Sequence, residues 1–216
     1  MDRTITRTGT YTAFLIHAAL ARAPWRLLLL PLVAITSLAY LARLVDRAWL
    51  KETNLTLLLG RAIAPADLAP LTASFAERTS RRNILPGALR QIAADRAAGR
   101  RLVLATASYR LYVEAIAARL GFDDVIATNS IIGSDARVSA KIDGENCYGP
   151  AKLRMIAAWF ALHGIDRART HVRFYSDHVS DAPVMEWADE AFATTPSAKM
   201  RALAEKRGWP VVDWRV

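Results

Sequence analysis

A single cysteine, Cys147, stands among 216 residues, so no disulfide forms within the chain and a reducing compartment is compatible with it. No stretch interleaves basic and aromatic residues as a base-stacking groove would, and no zinc-finger or RNA-motif signature occurs. Nucleic acid is therefore not expected as a partner. The first twenty residues lack the apolar core of a cleavable leader and carry Arg3, Arg7 and several threonines instead. A cytoplasmic location is expected. Acidic residues are in the minority, 20 against 29 lysines and arginines, giving a formal charge of +9 that suits phosphate-bearing or otherwise anionic partners. The remaining composition, 53% apolar and 23% charged, is that of a folded globular protein.

No uninterrupted apolar run reaches the roughly 20 residues that cross a bilayer, but one approaches it. From Leu27 to Ala42 the chain reads LLLLPLVAITSLAYLA, with Arg22 and Arg26 before it and Arg43 and Arg47 after it. Two readings stand side by side: a helix buried in a helical subdomain, or a helix lying on an anionic membrane surface. The second makes residues 25–44 a membrane contact and the protein peripheral to the inner face.

The first half of the chain reads as helices over 11–22, 45–59 and 65–78, with a break at NILPG (83–87) before another helix over 88–98. The second half alternates. Short apolar runs at 101–105, 124–128, 172–176 and 191–195 predict buried parallel strands, 211–214 an edge strand, and helices over 109–120 and 150–163 separate them. Residues 137–142 followed by Asp143-Gly144 suggest a small hairpin. The pattern predicts an α/β fold with an open parallel, Rossmann-like sheet, whose ligands belong beyond the carboxyl ends of the strands.

Polar residues cluster at those ends. Thr106-Ala107-Ser108 follows one strand, Asp177-His178-Val179-Ser180-Asp181 follows another, and Gly149-Pro150-Ala151-Lys152 opens a helix. Singly each has an ordinary explanation: Ser108 and Ser180 suit helix N-caps, Asp181 a first helical turn, Lys152 the surface. In order they make a phosphate and Mg²⁺ set, because a hydroxyl and an ammonium hold phosphoryl oxygens while carboxylates suit a hard cation.

That ordered set resembles the haloacid dehalogenase (HAD) superfamily, and its phosphoserine-phosphatase-like subfamily IB, over essentially the whole chain. Met1-Asp2-Arg3-Thr4 resembles the last four positions of the family's Asp-x-Asp-x-Thr motif. The resemblance implies a phosphatase working through an aspartyl-phosphate. Asp2 is then the general acid/base, Thr106 the phosphoryl-binding hydroxyl, and Lys152 the fixed cation. Asp2, Asp177 and Asp181 become the Mg²⁺ group, while Thr4, Ala107, Ser108 and His178 fall to phosphate or substrate. The attacking aspartate, and the strand that presents it, are expected just before Met1, since Met1-Asp2-Arg3-Thr4 supplies only the motif's last four positions. Residues 11–82 would form an inserted helical cap on a core of 1–10 and 83–216. The segments Tyr11-Thr12-Ala13-Phe14-Leu15 and Ala23-Pro24-Trp25 resemble the phosphatidylglycerophosphate-phosphatase branch, so the expected substrate is a lipid phosphate or a small metabolite such as phosphoserine. Arg61, Arg81 and Arg82 are candidates for extra phosphate charge. Cys147 is expected to pack rather than react. A non-catalytic phosphate-binding or membrane-associated protein is the alternative.

Overall fold

Ten residues lead into helix α1 (Tyr11–Arg22), and the computed structural model describes the whole chain, Met1–Val216. A short 3-10 turn, Pro24–Leu29, passes into α2 (Leu30–Leu41), followed by α3 (Arg47–Leu58), a two-residue strand β1 (Ala62–Ile63) and the long α4 (Pro65–Arg82). The apolar run thus divides at a proline-opened turn. Proline presets the backbone of a first turn but donates no hydrogen bond. The two passages between 1–10 and 83–85 lie against each other: the Arg7 amide donates to the Asn83 carbonyl at 2.8 Å and the Leu85 amide to the Ile5 carbonyl at 2.9 Å. Adjacent entry and exit is what an inserted segment requires.

After α5 (Pro86–Ala97), strands and helices alternate: β2 (Val103–Tyr109), α6 (Arg110–Leu120), β3 (Asp124–Ile132), β4 (Val138–Asp143), α7 (Pro150–Leu162), β5 (Arg173–Ser176), α8 (Ala182–Trp187), β6 (Glu190–Thr194), α9 (Ala198–Arg207) and β7 (Val211–Val212). The α/β class expected from the sequence holds. The pairing is β1-β4-β3-β2 in one sheet and β5-β6-β7 in the other. β2 runs parallel to β3, and β5, β6 and β7 run parallel to one another. The hairpin differs from expectation: β4 turns back on an extended β3, with Ile132 opposite Val138, so its turn precedes residue 138 rather than following Asp143. β3 continues past Thr128 because its last residues leave the buried sheet and gain a partner in β4. β1, too short to carry a periodic signal, pairs antiparallel with β4.

The two sheets face each other through the edges of β2 and β5. Between them runs a cavity of about 310 Å³ lined by backbone and side chains of Leu102–Ala105 and Val172–Tyr175, and roofed by Ile156 and Trp159 of α7. The largest apolar cluster lies on the other side of β2, where Phe14 stacks on Tyr112 at 4.6 Å between centroids and Phe75 meets both rings edge-on. That cluster joins α1, α3 and α4 to α6, so helices of the inserted segment share one core with the sheet layer.

Candidate active site

The strand ends gather the polar residues where parallel-sheet geometry puts ligands. Ser108 lies in the last turn of β2, not at a helix cap; Tyr109 holds the N-cap position of α6 without a side-chain bond. Freed from capping, Ser108 donates its hydroxyl to Asp2 Oδ2 at 2.7 Å and its amide to Thr106 Oγ1 at 3.1 Å. Thr106 is buried and its own hydroxyl hydrogen has no acceptor in the protein. The other oxygen of Asp2 accepts from the Thr10 amide and the Thr10 hydroxyl, both at 2.7 Å. Thr10 in turn sits 3.2 Å from the Tyr112 hydroxyl, and burial, first, then the charge of Asp2 raise that phenol's pKa.

Gly149 turns the chain into α7 at φ +58°, a left-handed conformation that glycine adopts without steric cost. Pro150 then starts the helix and brings Lys152 into its first turn. Lys152 is buried, and its ammonium lies 2.6 Å from Asp181 Oδ1. It makes no other polar contact within the protein, so N–H groups remain for a ligand. Asp181 Oδ2 accepts from the Ser176 hydroxyl at 2.7 Å. Burial pushes the Asp181 carboxyl up, but the Lys152 charge and the hydrogen bonds from Lys152 and Ser176 outweigh it and hold the group below its ordinary value. Asp181 therefore orients Lys152 with one oxygen and is anchored to β5 by the other. Asp177 is half-buried; its Oδ1 accepts from the Thr4 hydroxyl at 2.7 Å and its Oδ2 has no protein partner.

The Met1 α-amino group is buried and feels the charges of Lys152, Asp2, Asp177 and Asp181. Burial lowers its pKa first, Lys152 lowers it further, and Asp2, Asp177 and Asp181 act in the opposite sense. The Thr4–Asp177 bond thus joins the N-terminal segment to the loop after β5, 173 residues on, and Thr106 is joined to that segment through Ser108 and Asp2.

The His178 ring is occupied with its own loop: Nδ1 accepts from the Ser180 amide at 3.2 Å and lies 2.9 Å from the Ser180 hydroxyl. Ser180 does not cap the following helix; His178 caps the short turn over 179–181. The Ala107 carbonyl accepts from the Lys51 ammonium of α3 at 2.7 Å and from the Thr128 hydroxyl of β3 at 2.8 Å. Cys147 is fully buried, with its thiol pushed up by burial. Arg61, Arg81 and Arg82 are exposed, and Arg81 pairs with Glu77 at 2.7 Å.

Lys51 has no counterpart among the sequence expectations. It comes from α3 of the inserted segment, is buried, and donates to the Ala107 carbonyl and Asn146 Oδ1, each at 2.7 Å, and to Thr128 Oγ1 at 3.3 Å. Its ammonium also lies 4.4 Å over the Tyr109 ring. Burial, then Arg47, draws its pKa down to about 7, while three neutral acceptors hold its donors. It pins the insertion to the loop after β2.

No three His, Cys, Asp or Glu side chains converge tightly enough to cage a metal by themselves. Mg²⁺ does not require that, since it is commonly held by one or two carboxylates with waters and substrate phosphate oxygens completing the octahedron. Asp177, with one oxygen unengaged, fits such a site.

Comparison with known proteins places the chain in a family. Residues 1–186 match the model of the haloacid dehalogenase-like hydrolase family. The chain belongs to that family. Over 117 residues it is 34% identical to the inhibition of morphological differentiation protein of Streptomyces azureus, covering 54% of this chain and 41% of that protein. Over 123 residues it is 32% identical to a probable phosphatase of Mycobacterium tuberculosis, covering 57% and 42%. The chain thus spans about two fifths of the length of these curated relatives. Among solved structures, a Bordetella pertussis Tohama I protein of unknown function superposes with a TM-score of 0.89 at 25% identity, covering 99% of this chain and 96% of its own. A substrate-bound phosphoserine phosphatase superposes at 0.61 and 15% identity over 99% and 89%, a likeness of fold.

Proposed function

We propose that this chain carries the phosphate-binding, acid–base and metal-binding groups of a phosphoric monoester hydrolase. What supports the reading is that the Thr4 hydroxyl bonds to Asp177 and the Ser108 hydroxyl to Asp2, which brings the first four residues against the loops at β2 and β5, together with the Ser108–Thr106 bond and the buried Lys152–Asp181 pair. The probable phosphatase of M. tuberculosis and a phosphoserine phosphatase of the same organism, 29% identical over 119 residues, lie on the same side.

In the proposed reaction the attacking carboxylate belongs to an aspartate immediately before Met1, at the end of a strand seated in the cavity between β2 and β5. Each of those strands has one neighbour and one edge turned to that cavity. An oxygen of the aspartate attacks phosphorus and the ester P–O bond breaks, the departing oxygen taking a proton from Asp2. Water then attacks the aspartyl-phosphate, Asp2 recovers a proton from it, and inorganic phosphate leaves with the nucleophile restored. Thr106 donates to a phosphoryl oxygen, and Lys152 supplies fixed positive charge oriented by Asp181. Asp177 and the Asp2 segment would hold Mg²⁺, which would supply neutralisation of the phosphoryl charge. Residues 11–82 act as the cap that selects substrate, with Lys51 fixing it to the site.

The curated relatives' names favour a small phosphorylated metabolite; the exposed apolar face of residues 25–44 favours a lipid phosphate. Turnover of an aryl phosphate, then of phosphoserine against phosphatidylglycerophosphate, tests the whole reading in protein extended upstream of Met1. The expected result is Mg²⁺-dependent turnover that a chelator removes. An extended chain that binds phosphate without turning over any ester would instead make this a non-catalytic phosphate-binding protein.

A further inference from the structure

The apolar run is not buried. Leu28, Leu38, Leu41 and Leu44 are 81%, 63%, 74% and 77% exposed, and Trp25, Leu32 and Ile35 are exposed beside them. Their spacing spreads them over about half the circumference of α2, a broad apolar face that leaves the Thr36 side to α3. On the opposite side α2 is fastened down: the Thr36 hydroxyl donates to Asn54 Oδ1 of α3 at 2.6 Å, and Arg26 donates to the Thr56 and Leu57 carbonyls at 3.1 and 2.8 Å. A stripe of this size is larger than the scattered apolar residues a monomeric surface ordinarily carries.

Charge decides what fits the stripe. Between Asp2 and Asp46 there is no acidic residue, while Arg3, Arg7, Arg22, Arg26 and Arg43 all fall in that stretch. Arg43 is exposed at one end of the stripe, while at the other the Arg26 guanidinium, 4.9 Å over the Trp25 ring, is held on the Thr56 and Leu57 carbonyls. A second copy of the chain, also at +9, would bring like charge against like around the patch. An anionic bilayer surface offers the opposite charge at the rim and a hydrocarbon boundary at the centre. An exposed tryptophan beside arginines suits that boundary. Pro24–Leu41 is apolar and long enough to be a candidate span, but Thr36 and Arg26 hold one side of it on α3 through polar bonds that a helix surrounded by lipid would have to give up.

We propose that the stripe Trp25–Leu44 docks this protein onto an anionic membrane surface, α2 lying in the plane of the interface with its Thr36 side kept on α3. The proposal does not depend on catalysis. It does carry a consequence for it, since α2 packs on α3, the helix whose Lys51 reaches the loop after β2.

The test is co-sedimentation of the full chain with vesicles of phosphatidylcholine alone and of phosphatidylcholine with about one third phosphatidylglycerol. The parent is expected to pellet with the anionic vesicles, to pellet at least about tenfold less with the neutral ones, and to be partly released by high salt, which screens the arginine contribution. Ile35→Asp with Leu38→Asp is expected to cut binding more than about tenfold while circular dichroism and melting stay those of the parent. Arg43→Ala is expected to weaken binding about fivefold without touching the apolar stripe. Parent protein that stays in the supernatant with both vesicle types overturns the proposal. So does a paired-aspartate variant that pellets like the parent, or a dimer in size-exclusion chromatography that the paired aspartates dissolve when no vesicle binding occurs.

Discussion

Asp177→Asn, made in the chain extended upstream of Met1, is expected to lower kcat/KM at least about a hundredfold, a loss of about 2.7 kcal/mol of transition-state stabilisation. The expectation rests on an asymmetry at that carboxylate. One oxygen accepts the Thr4 hydroxyl and the other has no protein partner, so the unengaged oxygen is the one offered to a cation. Asparagine keeps an acceptor for Thr4 and removes the charge, and a hard cation bound by few protein ligands loses most from that change. Because Asp177 is half-buried and its main-chain carbonyl still accepts from the Ser197 amide at 3.1 Å, melting should shift little. Titration with Mn²⁺ provides a readout independent of turnover. Weakened metal binding with parental stability agrees with the assignment; unchanged turnover and unchanged metal binding contradict it.

Lys152→Met combines two effects. The ammonium lies 2.6 Å from Asp181 in a buried setting, and removing one partner of a buried ion pair leaves the other charge uncompensated, at a cost of about 3–5 kcal/mol. Turnover should be lost and melting should fall by about 10 °C for a chain of this length. The pH dependence separates the two. In the parent, Asp181 titrates below its ordinary value, because Lys152 and Ser176 outweigh burial. Its contribution is present above the ordinary carboxylate pKa and is lost as pH falls through the lower folded value. Without Lys152, burial is opposed by the Ser176 hydrogen bond alone in the extended chain, so the carboxyl should titrate above its ordinary value, and lowering the pH toward 5 should recover stability in the variant. Melting profiles of both proteins between pH 4 and 8 check this, and a variant that tracks the parent's slope excludes the coupling.

Much of the fold was legible because local signals agreed with the tertiary outcome. α1 begins and ends where the sequence indicated, and Gly121, at φ +74°, closes α6 as a left-handed C-terminal glycine should. Asp177 and Asp181 stand after β5, where a parallel sheet presents residues to a ligand, while Thr106 lies within a β2 longer than the sequence indicated and Lys152 in the first turn of α7. Partners were less legible. Lys51 reads as a surface lysine in any helical window, yet its acceptors stand 56, 77 and 95 residues away. Thr10 occupies the N-cap position of α1 but turns its hydroxyl to Asp2 instead of the helix. The apolar run was compatible with a core helix and with a surface one; only the fastening of its opposite face by Thr36 and Arg26 distinguishes them.

The central claim is spatial: Thr106, Lys152 and Asp177 act on one phosphoryl group. It is tested most directly by a crystal structure of the extended chain grown with Mn²⁺ and inorganic phosphate. The account predicts one phosphate touched by the Thr106 hydroxyl and the Lys152 ammonium, with the manganese anomalous peak at coordination distance from Asp177. A phosphate bound elsewhere on the molecule, with those three side chains free of it, would contradict the account.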